Sequence, residues 1–188
     1  MKLLKATAAL GLAVALIAPA AASANTSGST PVTVSLGPDL QKKTASYGAR
    51  EIETIRKDLA QQVSRALARS ASSVAKVDVV LEDAVPNRPT FDQLGRTTGL
   101  SMWSVGVGGA RMSGVVHTAD GRELPFRYGW YETDIRNEIG ATTWSDAYRA
   151  FGMLARKVAK GDLPESYGPG GMTSPDSGNF GAINRTWR

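Results

Sequence analysis

The sequence predicts an α+β fold: a small mixed sheet in the order strand, helix, strand, strand, strand, helix, with two helices packed on one face. Three observations carry that expectation. Short segments such as "PVTVSL" and "VDVVLED" alternate apolar and polar residues with period two, as half-buried strands do. Two longer segments space their apolar residues three or four apart, as helices packed on a core do. Between them "SVGVGGARMSGVVHTADGRELPFRYGW" reads as a hairpin.

The chain opens on "MKLLKATAALGLAVALIAPAAASA", with Lys2 and Lys5 ahead of a short apolar run and Ala22-Ser23-Ala24 behind it. This is the pattern of a secretory signal cleaved after Ala24. The run is shorter than the ~20 apolar residues that span a bilayer. Residues 25–30 form a linker, 31–163 a single domain, and 164–188 a flexible tail rich in glycine, serine and proline. Losing the two signal lysines lowers the net charge from +5 to +3. With the basic residues spread along the chain, nucleic acid is not an expected partner. The absence of cysteine excludes disulfides, thiol chemistry and acylation of the lipoprotein kind. A periplasmic or secreted protein is expected, with no transmembrane segment after cleavage.

The first strand spans Pro31 to Leu36. In the following helix Ile52, Ile55, Leu59, Val63 and Leu67 form one stripe, and the opposite face is charged, with Glu53 four residues before Lys57. A second strand starts at Val77, burying Val77, Val79 and Leu81, and Pro86 and Pro89 stop it. "PNRPTFDQLGRTTGL" is then long enough for a working loop.

The glycines after Ser104 do not form a cofactor loop. From Gly106 the third position of a dinucleotide fingerprint is Arg111, and no Gly-Lys-Ser/Thr is present. A three-residue turn, Ala119-Asp120-Gly121 with a left-handed Gly121, pairs Val116 with Leu124, Gly114 with Phe126, Met112 with Tyr128 and Ala110 with Trp130. That register makes one face apolar and sets His117 across from Glu123 and Ser113 across from Arg127. Gly108-Gly109 is read as a bulge or bend. The last helix begins near Thr143, with Asp146 completing a variant capping box. It buries Ala147, Phe151, Leu154 and Val158 and ends at Gly161 before Pro164.

With one histidine and no cysteine, no zinc or copper site is expected. Glu132, Asp134 and Glu138 lack the ordered acidic pattern of a calcium loop, and no serine sits in Gly-x-Ser-x-Gly. The chemistry left open is hydrolysis of an envelope glycan by a carboxylate pair, Glu132 or Asp134 beside Asp92. The leading expectation is a binding or assembly module for a protein or envelope polymer, not an enzyme, without cofactor or metal. Its candidate binding residues are Asn87, Arg88, Asp92 and Arg96 in the proline-bounded loop, with Trp103 and Tyr131 as the aromatics that packing does not account for.

The segments "DAVPNRPTFDQLG", "VGGARMSG", "ADGRELPFRYGWYETDIR" and "TTWSDAYRAFGMLAR" resemble a group of proteobacterial envelope proteins, many of them lipoproteins, over Val77 to Lys160. The element order resembles the amino-terminal domain of TolB and the lipoprotein activators of penicillin-binding proteins. The resemblance implies an envelope location and brings no catalytic residue with it.

Overall fold

The computed structural model describes residues 30–167; the expected signal, nearly all of the linker and residues 168–188 of the expected tail lie outside them. Strands β1 (Val32–Leu36) and β2 (Val74–Val85) run parallel, with Val32 opposite Val77 and Leu36 opposite Leu81. A parallel pair requires a crossover, supplied by α1 (Pro38–Tyr47) and α2 (Ala49–Ala68). The single helix expected here is divided at Gly48, whose φ of 94° disfavours any residue with a side chain. Its bare α-carbon also leaves room for Asp92, whose carboxylate oxygen lies 1.9 Å from where a β-carbon would stand.

The sheet continues as β3 (Gly109–Thr118) and β4 (Glu123–Tyr131), both antiparallel to their neighbours, in the order β1-β2-β3-β4. The hairpin register is the expected one: Val116 faces Leu124, Gly114 faces Phe126, Met112 faces Tyr128 and Ala110 faces Trp130. Thr118 and Arg122 close the turn, the Thr118 amide donating to the Arg122 carbonyl at 3.0 Å, and Gly121 is left-handed at φ 84°. Of the Gly108-Gly109 pair, expected as a bulge or bend, Gly109, at φ 150°, opens β3 in register with Val85, and the bulge beside it lies on β2. The register slips between Leu81 and Asp83, and Glu82 is the extra residue.

Two helices cover one face of this sheet. The expected stripe of α2 is buried against Val77, Val79 and Leu81 of β2 and against α4 (Ser145–Lys160), which buries Ala147, Phe151, Leu154 and Val158. Each fully buried leucine or isoleucine there contributes about 2 kcal/mol of transfer free energy. The start of α4 differs from the expected capping box: Trp144 occupies the cap position, its indole donating to Glu51 at 2.9 Å rather than capping the helix, and Asp146 turns inward. Its end is as expected, with Gly161 in the left-handed conformation at φ 73°.

The other sheet face carries Asp78, Val80, Glu82, Ser113, Val115 and His117. Pro164 to Tyr167, which composition groups with the tail, lie across it. The Arg127 amide on the outer edge of β4 donates to the Pro164 carbonyl at 2.8 Å, and the Arg111 guanidinium sits 5.5 Å from the centre of the Tyr167 ring. The β1 edge is blunted in turn by Arg56, which donates to the Val34 carbonyl at 3.2 Å.

Gly114 marks the tightest point of the sheet. A β-carbon there would lie 2.1 Å from the Asp78 carbonyl oxygen and 2.7 Å from the tip of the Phe126 ring. Because a backbone oxygen cannot give way, Gly114→Val is expected to lower stability by about 3 kcal/mol or more, measured as a fall in the urea midpoint at unchanged slope.

Candidate functional site

One end of the sheet collects the carboxyl ends of β2 and β4, the start of β3 and the first turn of α4. The loops that meet there are fastened by Asn87, which follows Pro86 at the stop of β2 and is fully buried. Its backbone amide donates to the Thr143 carbonyl at 2.8 Å, and its carbonyl accepts from the Gly106 amide at 2.8 Å. Its side-chain oxygen accepts the Asp146 amide at 2.9 Å. Its side-chain nitrogen donates to Asp146 Oδ2 at 2.6 Å and to Glu138 Oε2. Gly108 adds its own amide to Asp146 Oδ2 at 3.1 Å. One amide side chain therefore ties together the proline-bounded segment, the segment before β3, the 3-10 turn at Ile135–Glu138 and the start of α4.

Two carboxyl groups packed in a dry interior cannot both be charged cheaply. Burial pushes the Glu138 carboxyl up to about 8, with the neighbouring Asp146 adding to the shift, Glu132 adding less, and the Asn87 donor opposing it. At neutral pH Glu138 is therefore the protonated member, and its hydrogen bond with Asp146 replaces a repulsion. This pair is buried beneath the loops, with Glu138 3% and Asp146 5% exposed, so a substrate does not reach it in this conformation.

Above that plug the loops carry large apolar side chains outward. Phe91 is 76% exposed, Met102 57%, Trp103 84% and Ile139 82%, and these are the exposed large hydrophobics among the described residues. Arg88 holds two of the segments side by side, donating through Nε to the Ala141 carbonyl and through Nη1 to the Met102 carbonyl at 3.1 Å. Phe91 opens α3 (Phe91–Arg96), whose start is fixed by a reciprocal cap: the Gln93 amide donates to Thr90 Oγ1 at 3.3 Å, and the Thr90 amide to Gln93 Oε1 at 3.0 Å. Arg96 reaches back to the Ala45 carbonyl at 2.9 Å.

The six candidate residues thus divide. Trp103 is exposed at the loop end, and Arg88 and Arg96 stand in the same loop system, each spending donors on backbone carbonyls. Asp92 lies against Gly48 at the junction of α1 and α2. Asn87 and Tyr131, both expected as binding residues, are buried. Strand alternation does turn Tyr131 away from the helices, but Asp83 and Lys43 of α1 meet it there. Its hydroxyl donates to Asp83 Oδ2 at 3.0 Å, and Lys43 Nζ lies 2.6 Å from Asp83 Oδ1. Asn87 is held inward by its side-chain bonds to Glu138, Asp146 and the Asp146 amide. Phe91, Met102 and Ile139 are the surface residues that sequence reasoning missed; the one signal for them is apolar bulk in segments without periodicity.

The acids considered for hydrolysis or calcium are engaged separately. Glu132 accepts the amides of Thr133 at 2.8 Å and Asp134 at 3.0 Å, which hold its carboxyl below the usual range. Asp134 is bound by Arg136 at 2.6 Å, which lowers its carboxyl to about 2. His117 faces Glu123 as expected, and its ring nitrogens lie 2.9 Å from Asp78 and 3.4 Å from Glu123. Among the described residues no group of three histidine or acidic side chains is arranged to hold a metal, and no helix is long and apolar enough to cross a membrane.

Comparison with protein-family models and with curated proteins gives no match. Among solved structures, a minor lipoprotein from Acinetobacter baumannii is similar at 12% identity over 73% of this chain and 98% of that one, with a TM-score of 0.26. Superposition at that level carries no correspondence between residues.

Proposed function

We propose that the protein is a non-enzymatic binding module of the cell envelope that docks a protein partner on its apolar loop end. The supporting observation is the exposure of Phe91, Met102, Trp103 and Ile139 on three separate segments, which Asn87 fastens from beneath and Arg88 links through the Ala141 and Met102 carbonyls. Large exposed aromatic and aliphatic groups on a preorganised surface are the usual anchors of a protein interface, because little side-chain or loop entropy is lost on binding. The envelope location rests on the amino-terminal signal pattern and on the segments that resemble envelope proteins.

The test is site-specific photocrosslinking in intact envelopes. A benzophenone amino acid at Trp103 is expected to capture a discrete partner, while the same group at Asp120, in the turn at the far end of β3, captures none. Equal yields from both positions, or none from Trp103, would count against this surface. The carboxylate pair that the structure does bring together, Glu138 and Asp146, is buried rather than presented to a substrate.

A further inference from the structure

We propose that the buried pair Glu138 and Asp146 is a proton-operated latch: while the two carboxyls share a proton, residues 133–142 are held against the body, and loss of that proton lets them swing out with the sheet and both long helices still folded.

Both carboxyls converge on one donor, since Asn87 Nδ2 donates to Glu138 Oε2 and, at 2.6 Å, to Asp146 Oδ2. Two acceptors on one nitrogen lie within about 6 Å of each other, and in a dry interior two negative charges at that separation repel strongly. Facing Glu138 are Asp146 from α4, Glu132 from the segment after β4 and the neutral donor Asn87 from the segment after β2. Gly108, ahead of β3, gives its amide to Asp146 at 3.1 Å. None of these groups is a cation. The arginines of the neighbourhood are engaged elsewhere, Arg136 with Asp134 at 2.6 Å, Arg149 with Glu132 at 3.8 Å and Arg88 with the carbonyls of Ala141 and Met102.

Glu138 is also what holds its segment inward. The two ends are fixed by backbone bonds, the Glu132 amide donating to the Gly108 carbonyl at 2.9 Å and the Asn87 amide to the Thr143 carbonyl at 2.8 Å. Between them the segment is tied to the body by Glu138 and by the bond from Arg88 to the Ala141 carbonyl. Glu138 is the only buried residue of 133–142; no apolar side chain anchors the segment from below. Its retention therefore depends on whether that carboxyl can stay buried.

Released to water, Glu138 ionises near its ordinary 4.5; held in place it does so near about 8, burial being the larger cause and Asp146 the next. Within that window the closed form keeps a proton that the open form has lost. Opening is therefore favoured about tenfold for each unit by which the pH rises from 5 to 8, and the gain levels off above. Ile139 moves with the segment, so the docking surface is complete only with the latch closed. That consequence rests on the proposed function, whereas the opening itself does not.

Amide exchange in the full mature protein tests the latch. The Ala141 amide, bonded to the Glu138 carbonyl at 3.0 Å, reports on the segment, and the Leu59 amide inside α2 reports on global unfolding. Corrected for the intrinsic exchange rate, Ala141 protection is expected to fall about tenfold per unit between pH 5.5 and 7.5, and to be unmoved by low urea that lowers the protection of Leu59. In Glu138→Gln the Ala141 protection is expected to stay level across this range. In Asp146→Asn, which removes the neighbouring charge and leaves an oxygen for the Gly108 amide, the fall is expected to level off at lower pH. Level protection in wild type, or the same slope in Glu138→Gln, would overturn the proposal. So would an Ala141 protection that follows urea as that of Leu59 does, because the segment would then open only with the whole fold. Exchange as expected without capture at Trp103 would leave the latch standing and overturn the docking surface alone.

Discussion

Glu138→Gln is expected to make the protein more stable than wild type at pH 8.5, by a few kcal/mol, while leaving it near wild type at pH 4.5. In the unfolded chain this carboxyl ionises near its ordinary value of 4.5; in the fold it does so only near about 8. Between those values the folded state keeps a proton that the unfolded state has released. Raising the pH through this window therefore removes stability, by roughly 1 kcal/mol per pH unit, and the loss levels off once both states are ionised. Glutamine is neutral throughout. Its oxygen can still accept from Asn87, and its amide can donate to Asp146 where the shared proton stood. The other strongly shifted carboxyls, Glu53, Asp120 and Asp134, are lowered to about 2, so their contribution is lost only as the pH falls below 4. His117 is common to both proteins and cancels in the comparison. Urea unfolding of both proteins between pH 4.5 and 8.5 reads the difference directly, and parallel curves would sink the account.

The sheet was legible where one physical signal acted alone. The hairpin register follows from setting Leu124, Phe126, Tyr128 and Trp130 against apolar partners or glycine, because a two-residue turn would put Leu124 opposite His117 and Trp130 opposite Arg111. The stripe of α2 follows from spacing alone. The division at Gly48 was not legible, because the apolar spacing of α2 carries no mark of where the helix before it ends, and only the structure shows Gly48 in a positive-φ conformation with Asp92 packed against it. Tyr131 failed for a related reason: alternation specifies a face, and only tertiary structure shows that Asp83 and Lys43 occupy that face. Asn87, Glu138 and Asp146 look like ordinary polar residues of loops and a helix start. Nothing in their spacing tells that four segments meet at them. The apolar loop tips were hidden in the opposite sense, since isolated hydrophobics in irregular segments carry no period from which burial or exposure can be read.

The same convergence sets the second large effect. Asn87→Asp is expected to cost about 4 kcal/mol or more at neutral pH, the scale on which an uncompensated charge is held in a protein interior. The substitution conserves shape but replaces the nitrogen that donates to Glu138 and Asp146 with an oxygen that repels both. Three carboxyls would then share the site with the Gly108 amide and the Asp146 amide as neighbouring donors. The cluster can relax by taking up a further proton, so the deficit should shrink as the pH is lowered toward 4. Asn87→Ala separates charge from support, because it removes the same donor without adding an acid. Its cost should be smaller, nearer the 1–3 kcal/mol of unsatisfied buried groups, and should change less with pH. In both variants amide exchange is expected to accelerate first at Gly106, Gly108 and Asp146, whose amides donate to the cluster, while Val115 at the centre of β3 follows only the global unfolding rate. If the loop end owes its preorganisation to this plug, capture by the photocrosslinker at Trp103 should weaken in Asn87→Ala under conditions where the sheet remains folded. Unchanged capture with accelerated loop exchange would show that the surface binds without being held rigid, and would separate the architectural role of Asn87 from the docking role proposed for the residues above it.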